Sequence, residues 1–231
     1  MSGSVPQAEL MRSLGRLVRG LSALFWGLPI ALVISVQTAK MNFFTRFGVL
    51  PPVLANALLY YGLVQLGYFQ KQERVWRLAV DRAKILALVM VGLSPFLYWW
   101  KMLPNVPHYQ LAVAVLALSG LLFLLNLNNT LRRLAAMLPD ETLRLETRLF
   151  TSVNVSLLLG ILVVASACSI LVQLRPPPMF LRLVLHFLGE SSVVLLLLVL
   201  LLPIALTMAL IWKVKEVIMA SVFAETAPPP V

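Results

Sequence analysis

Three residues stand four apart in the stretch PPPMFLRLVLHFLGE: Arg182, His186 and Glu190. On one helix this spacing puts a cation, an imidazole and a carboxylate on a single face. His186 and Glu190 could exchange a proton while Arg182 held an anionic head group, which would suit a lipid-modifying enzyme. The same triplet could form a proton or ion site at the outer mouth of a helical bundle. The plainer alternative is a self-neutralising stripe that keeps the helix at a membrane surface.

The other polar candidates are amides: Asn56 and Gln65 in one apolar run, and Asn154 in another. Each could line a pathway, but amides within membranes more often bond between helices. Asn126, Asn128 and Asn129 read as the exit of a helix. No G-x-G-x-x-G, P-loop, H-E-x-x-H or C-x-x-C occurs, so nothing indicates nucleotide, hydrolytic-zinc or dithiol chemistry. The only histidines are His108 and His186, and they do not share an apolar run. That excludes bis-histidine haem within one chain. A sole cysteine, Cys168, excludes an internal disulfide and a thiolate metal cluster. The reading assigns no catalytic residue, no metal and no cofactor.

Composition sets the elements that must position these residues. Of 231 residues, 60% are hydrophobic and 12% charged, roughly half the charged share of a soluble domain. Mean hydropathy is +0.91. The long runs are apolar on every side, whereas membrane barrel strands alternate over about 10 residues. The chain reads as an all-α polytopic membrane protein with six transmembrane helices in three hairpins, one domain over 1–220. The expected spans are 17–36, 52–69, 83–100, 109–127, 149–174 and 191–212, each near the roughly 20 residues that cross a bilayer. The last holds nine Leu, three Val and two Ile, which favour insertion by at most roughly 4 to 8 kcal/mol. The first reads as an uncleaved helix, because its n-region is long and no Ala-x-Ala site follows. Residues 221–231, ending in AETAPPPV, read as a disordered Pro-rich tail.

A net charge of +10 would suggest nucleic acid in a soluble protein. Its distribution here points to topology instead. With the N-terminus inside, fourteen of the 19 Lys and Arg become cytoplasmic: Arg12, Arg16, Arg19, Lys71, Arg74, Arg77, Arg82, Lys84, Arg132, Arg133, Arg144, Arg148, Lys213 and Lys215. Lys40, Arg46, Lys101, Arg175 and Arg182 stay outside. Cytoplasmic loops carry this bias, which places both termini in the cytoplasm. The implied partners are the lipid bilayer and its anionic phospholipid head groups, not nucleic acid. The general look is that of a bacterial inner (cytoplasmic) membrane protein.

The basic segments read as short amphipathic cytoplasmic helices. Arg12, Arg16 and Arg19 oppose Leu10, Leu14, Leu17 and Leu21, as on a helix lying at the surface. In QKQERVWRLAVDRAK, Glu73, Arg77 and Asp81 neutralise one another at four-residue spacing and Asp81 reaches Lys84. Val75 and Trp76 are expected to face the lipid interface. Pro139 breaks a helix and Asp140 caps the next, pairing with Arg144, so that loop could project a helical hairpin towards a protein partner. Tyr98, Trp99, Trp100 and Trp212 read as belt residues. Pro29, Pro95 and Pro203 read as kinks within spans, and Gly189 as a bend that lays 179–190 on the outer surface.

Small residues recur every four positions: Ala23, Gly27, Ala31 and Ser35 on the first span, Ser152, Ser156 and Gly160 on the fifth. Such stripes let helix backbones approach closely, within the chain or between copies. The leading expectation is a non-enzymatic membrane subunit or scaffold that assembles laterally, as a homo-oligomer or with a protein partner, and docks partners at its cytoplasmic face. A small transporter or channel is the alternative. A lipid-modifying enzyme using His186 and Glu190 is the third.

Overall fold

Long helices dominate, two of them running through an interior proline, Pro29 in α1 and Pro203 in α7, and proline also marks where several begin. The computed structural model describes the backbone of residues 4–40, 45–69, 73–138, 141–173 and 179–226. Side chains are described for 11–40, 46–69, 73–138, 141–142, 144–167, 170, 179 and 198–220. The order is α1 (Ser4–Lys40), a 3-10 turn (Thr45–Phe47), α2 (Leu50–Leu66), α3 (Arg74–Leu93), α4 (Pro95–Met102), α5 (Pro107–Met137), α6 (Glu141–Gln173) and α7 (Met179–Thr226). Prolines open α2, α4 and α5, where a missing N–H removes no helical bond. Gly48, at φ 60°, takes the left-handed turn before α2.

Among the described residues, five stretches are long and apolar enough to cross a membrane: Met11–Lys40, Arg74–Met102, Pro107–Met137, Arg144–Ala167 and Leu198–Ala220. The all-α class and multi-pass character follow. Leu50–Leu66 is apolar but has only 17 residues, so six full-length spans are not all met. Trp26, Leu54, Ile85, Leu111, Val163 and Leu198 are largely exposed. So much outward apolar surface suits hydrocarbon rather than water.

Paired contacts fix how the helices run. Gly20 faces Gly62 and Leu66, while Gly27 faces Leu58 and Leu59, so α1 and α2 are antiparallel. The Asn126 amide donates to the Ala79 carbonyl and Gly120 lies beside Met90, so α3 and α5 are antiparallel. Lys213 pairs with Glu146 and Asn154 reaches Pro203, so α6 and α7 are antiparallel as well. Arg16 lies 4.8 Å over the Tyr68 ring, the Lys84 side chain covers Gly67, and Phe25 meets Trp212 at 5.8 Å. The starts of α1, α3 and α6 and the ends of α2, α5 and α7 therefore share one end of the bundle, and the basic residues gather there.

The core is Leu17, Leu21, Leu24 and Leu28 of α1, Leu59, Leu63 and Leu66 of α2, Trp76 and Val80 of α3, Phe123, Leu127, Leu131 and Leu134 of α5, and Ile211, Val214 and Ile218 of α7. It continues into the basic end, and this corrects several expectations. The amphipathic segments are not separate short helices. They are the ends of long ones, because their apolar faces belong to the same core. Leu17 and Leu21 are fully buried, so this face of α1 meets protein and not lipid. Trp76 is also buried, its Nε1–H donating to the Phe69 carbonyl at 3.0 Å. Val75 is exposed as expected. Pro95 lies within the Arg74–Met102 span, as expected, and there it breaks the helix between α3 and α4. It cannot donate to the Val91 carbonyl, and the buried Ser94 hydroxyl donates there instead, at 2.7 Å. Gly189 does not interrupt α7, which is helical across it; α7 also continues past Trp212, which is exposed. The break between α5 and α6 falls where Pro139 and Asp140 predict it, although those two residues lie outside the described set. The Arg144 guanidinium donates to the Leu138 carbonyl at the end of α5.

The tightest seam is α1 on α2. A Cβ at Gly20 would sit 2.7 Å from the Gly62 carbonyl oxygen and 3.0 Å from the Gln65 Cβ, so a larger residue must push two backbones apart. A Cβ at Gly160 would meet nothing within 4 Å. Gly20→Val should lower stability in detergent by about 2 kcal/mol or more, read as a fall in melting temperature. Gly160→Val should change it by less than about 0.5 kcal/mol. Equal melting temperatures for the two variants would contradict this packing.

Candidate functional site: a buried polar junction of three helices

Polar side chains from three helices are buried close to one another in sequence register. They include Asn128 and Thr130 on α5, Thr147, Thr151 and Asn154 on α6, and Thr207 on α7. Helical spacing explains the α6 face: Thr147, Thr151, Asn154 and Leu158 lie at steps of four, three and four, so all four point inward. Thr207 follows Pro203 by four residues, and its hydroxyl donates to the Pro203 carbonyl at 2.8 Å.

Asn154 ties the three helices together. Its Nδ2 lies 2.8 Å from Thr207 Oγ1, 3.0 Å from Asn128 Oδ1 and 3.1 Å from the Pro203 carbonyl. An amide has two hydrogens, so these three acceptors share them. The Asn128 amide donates to Thr207 Oγ1 at 3.0 Å and to the Leu124 carbonyl at 2.9 Å. Thr207 Oγ1 thus accepts twice and donates once, which uses its full capacity. The junction sits six residues above Lys213 on α7 and six above Arg148 on α6, or about 9 Å from the charged end.

The junction is not fully satisfied from within the protein. Asn154 Oδ1, Thr151 Oγ1 and Thr147 Oγ1 are buried and have no hydrogen-bond partner. All three lie on the inward face of α6, in a line leading to the basic end. Buried polar atoms of this kind cost about 1 to 3 kcal/mol each unless water reaches them, so each is open to a hydrogen-bond donor such as water.

The sequence candidates fare unequally. Asn154 stands at the centre of the junction. Asn56 is buried, but its amide bonds only the Pro52 carbonyl of its own helix, at 2.9 Å. Gln65 is half-buried on α2, opposite Gly20. Asn56, Gln65 and Asn154 are therefore not gathered at one site. Arg182, His186 and Glu190 fall on α7, and their side chains lie outside the described residues. His108 is exposed in the first turn of α5. Asn126, Asn128 and Asn129 are not a helix exit: α5 runs on to Met137, and two of these amides bond across to neighbouring helices. Arg12, Arg19, Arg74, Arg77, Arg82 and Arg132 are exposed, while Arg16, Lys84 and Arg133 are half-buried. Lys71 lies outside the described residues. Lys84 pairs with Asp81 at 3.2 Å, as its spacing foretold.

Sequence reasoning read Asn128 as a helix exit and passed over Thr207. The available signal was a threonine one turn after an intramembrane proline. Among the described residues, no three His, Cys, Asp or Glu side chains come together in a metal-holding group. Asn154→Leu should cost about 1 to 3 kcal/mol, because it strands Asn128 and Thr207 in the core. Asn56→Leu should cost under about 1 kcal/mol, since it removes a bond to an acceptor the helix already uses. Thermal unfolding in detergent compares them, and a larger loss at Asn56 would contradict the role given to the junction. Comparison with protein-family models, curated proteins and solved structures finds no match to this chain.

Proposed function

We propose that this chain is a non-enzymatic subunit of a bacterial inner membrane, which associates laterally through α6 and presents its basic end to cytoplasmic partners. The observation that carries this reading is the unequal fate of the two small-residue stripes. Gly27 and Ala31 of α1 are buried within the chain. Ser152, Ser156 and Gly160 of α6 are exposed. Hydrocarbon does not reward an exposed serine–glycine face, whereas a second helix packs on it closely. α6 is also peripheral, packing chiefly on α5 and α7.

Six crossings with both termini cytoplasmic remain the reading that best fits the charge. α2 lies antiparallel along the apolar part of α1, and 17 residues is the lower limit for a span. Counting α2 leaves the basic end on the cytoplasmic side, next to anionic lipid. α5 and α6, at 31 and 33 residues, are each longer than the roughly 20 needed to cross. Their paired ends would extend the core below the membrane as a docking surface. In mild detergent the protein should have a particle mass above one 25.6 kDa chain. Ser156→Leu with Gly160→Leu should reduce it to one chain without lowering the melting temperature. A wild-type particle of one chain with no companion overturns the proposal.

The run of unpartnered polar atoms from Asn154 to Thr147 favours a second reading, a small transporter or channel. Under it, proteoliposomes carrying a proton or sodium gradient should dissipate it faster than empty liposomes, and Asn154→Leu should slow the decay at least tenfold, the scale of about 1.4 kcal/mol. Decay no faster than in empty liposomes leaves the subunit reading alone.

A further inference from the structure

α3 and α5 leave a groove of about 510 Å³ between them, open to the side and lined by Arg82, Ile85, Leu86, Leu122, Leu125, Asn126 and Asn129. We infer that this groove is a binding site for a single anionic phospholipid. The inference rests on the chain being a membrane protein, and it is independent of the subunit reading.

The order of residues along both walls carries the argument. α3 runs away from the basic end, so Arg82 comes first and Ile85 and Leu86 lie about one turn deeper. α5 runs towards the basic end, so Asn129 is outermost and Leu125 and Leu122 lie one and two turns deeper. Both walls are therefore polar at the same end and aliphatic at the other, which is the polarity of a lipid. Arg82 is exposed and has no carboxylate partner among the described residues. Asn129 spends its Oδ1 on Arg132 at 3.0 Å, which leaves its NH2 to donate. Asn126 is committed to the Ala79 carbonyl and closes the groove floor by tying the two helices together. A guanidinium and an amide NH2 are donors suited to a phosphodiester. Ile85 and Leu122 offer the start of one acyl chain an aliphatic wall. Arg82 supplies a full positive charge at that spot, so an anionic head group is favoured over a zwitterionic one.

Native mass spectrometry of the full chain in detergent, with dioleoylphosphatidylglycerol or dioleoylphosphatidylcholine added at equal concentration, tests this. One adduct of the anionic lipid should exceed the zwitterionic adduct about fivefold, the effect of one basic side chain near a charged surface. Arg82→Gln should abolish that preference, and Arg12→Gln, at an exposed arginine of the same end, should keep it. Equal binding of the two lipids, retention of the preference in Arg82→Gln, or an equal loss in Arg12→Gln overturns the site. Displacement of the lipid by millimolar inorganic phosphate would mean a site for the free anion and likewise overturns it. A chain that stays soluble without detergent fails at the earlier step, the membrane reading itself.

Discussion

Hydrocarbon offers a polar group no hydrogen-bond partner, and the arrangement of this protein follows from that constraint. It forces the backbone into helices, and it makes each departure from a helix need a local remedy. Where Pro95 removes the donor for the Val91 carbonyl, the Ser94 hydroxyl supplies one. Where α5 ends, Arg144 reaches back to the Leu138 carbonyl. Where Trp76 is drawn into the core, the Phe69 carbonyl takes its N–H. The same rule gives the Asn128–Asn154–Thr207 junction its weight: three polar side chains on three helices satisfy one another or go largely unsatisfied.

Burial against lipid gives little drive for helices to associate, so contact quality decides which helices are neighbours. The α1–α2 seam achieves it by backbone approach at Gly20 and Gly62. The α3–α5 pair adds a single interhelical amide bond at Asn126. The α5–α6–α7 corner relies on the polar junction. These are three different solutions in one bundle, and the last is the least saturated, because Asn154 Oδ1 has no partner. A partly satisfied junction stabilises less than a complete one, yet it keeps a polar foothold within the membrane.

The charged end, the exposed face of α6 and the groove beside Arg82 divide the outer surface among different surroundings. In the proposed reading the basic end faces anionic lipid and partners beneath it. The α6 face, with Ser152, Ser156 and Gly160 outward, is suited to another helix. The groove is suited to one amphiphile held in register between two walls. Under the proposed function these three surfaces would serve assembly and anchoring.

Sequence alone determined what depends on composition and on neighbours along the chain: the helical membrane class, the approximate apolar runs, the break at Pro139, and the Asp81–Lys84 pair. It also set which residues share a helical face, as with Ser152, Ser156 and Gly160. Tertiary structure decided what each face meets. Two stripes of the same kind proved different, since Gly27 is packed against Leu59 while Gly160 is open. Trp76 looked interfacial and is buried, because Phe69, three residues past the end of α2, meets that ring edge-on. Asn128 looked like a helix end and is a hub, because Asn154 and Thr207, 26 and 79 positions along the chain, arrive beside it. Local spacing cannot encode such meetings: they depend on the relative rotation and height of separate helices, which only packing fixes.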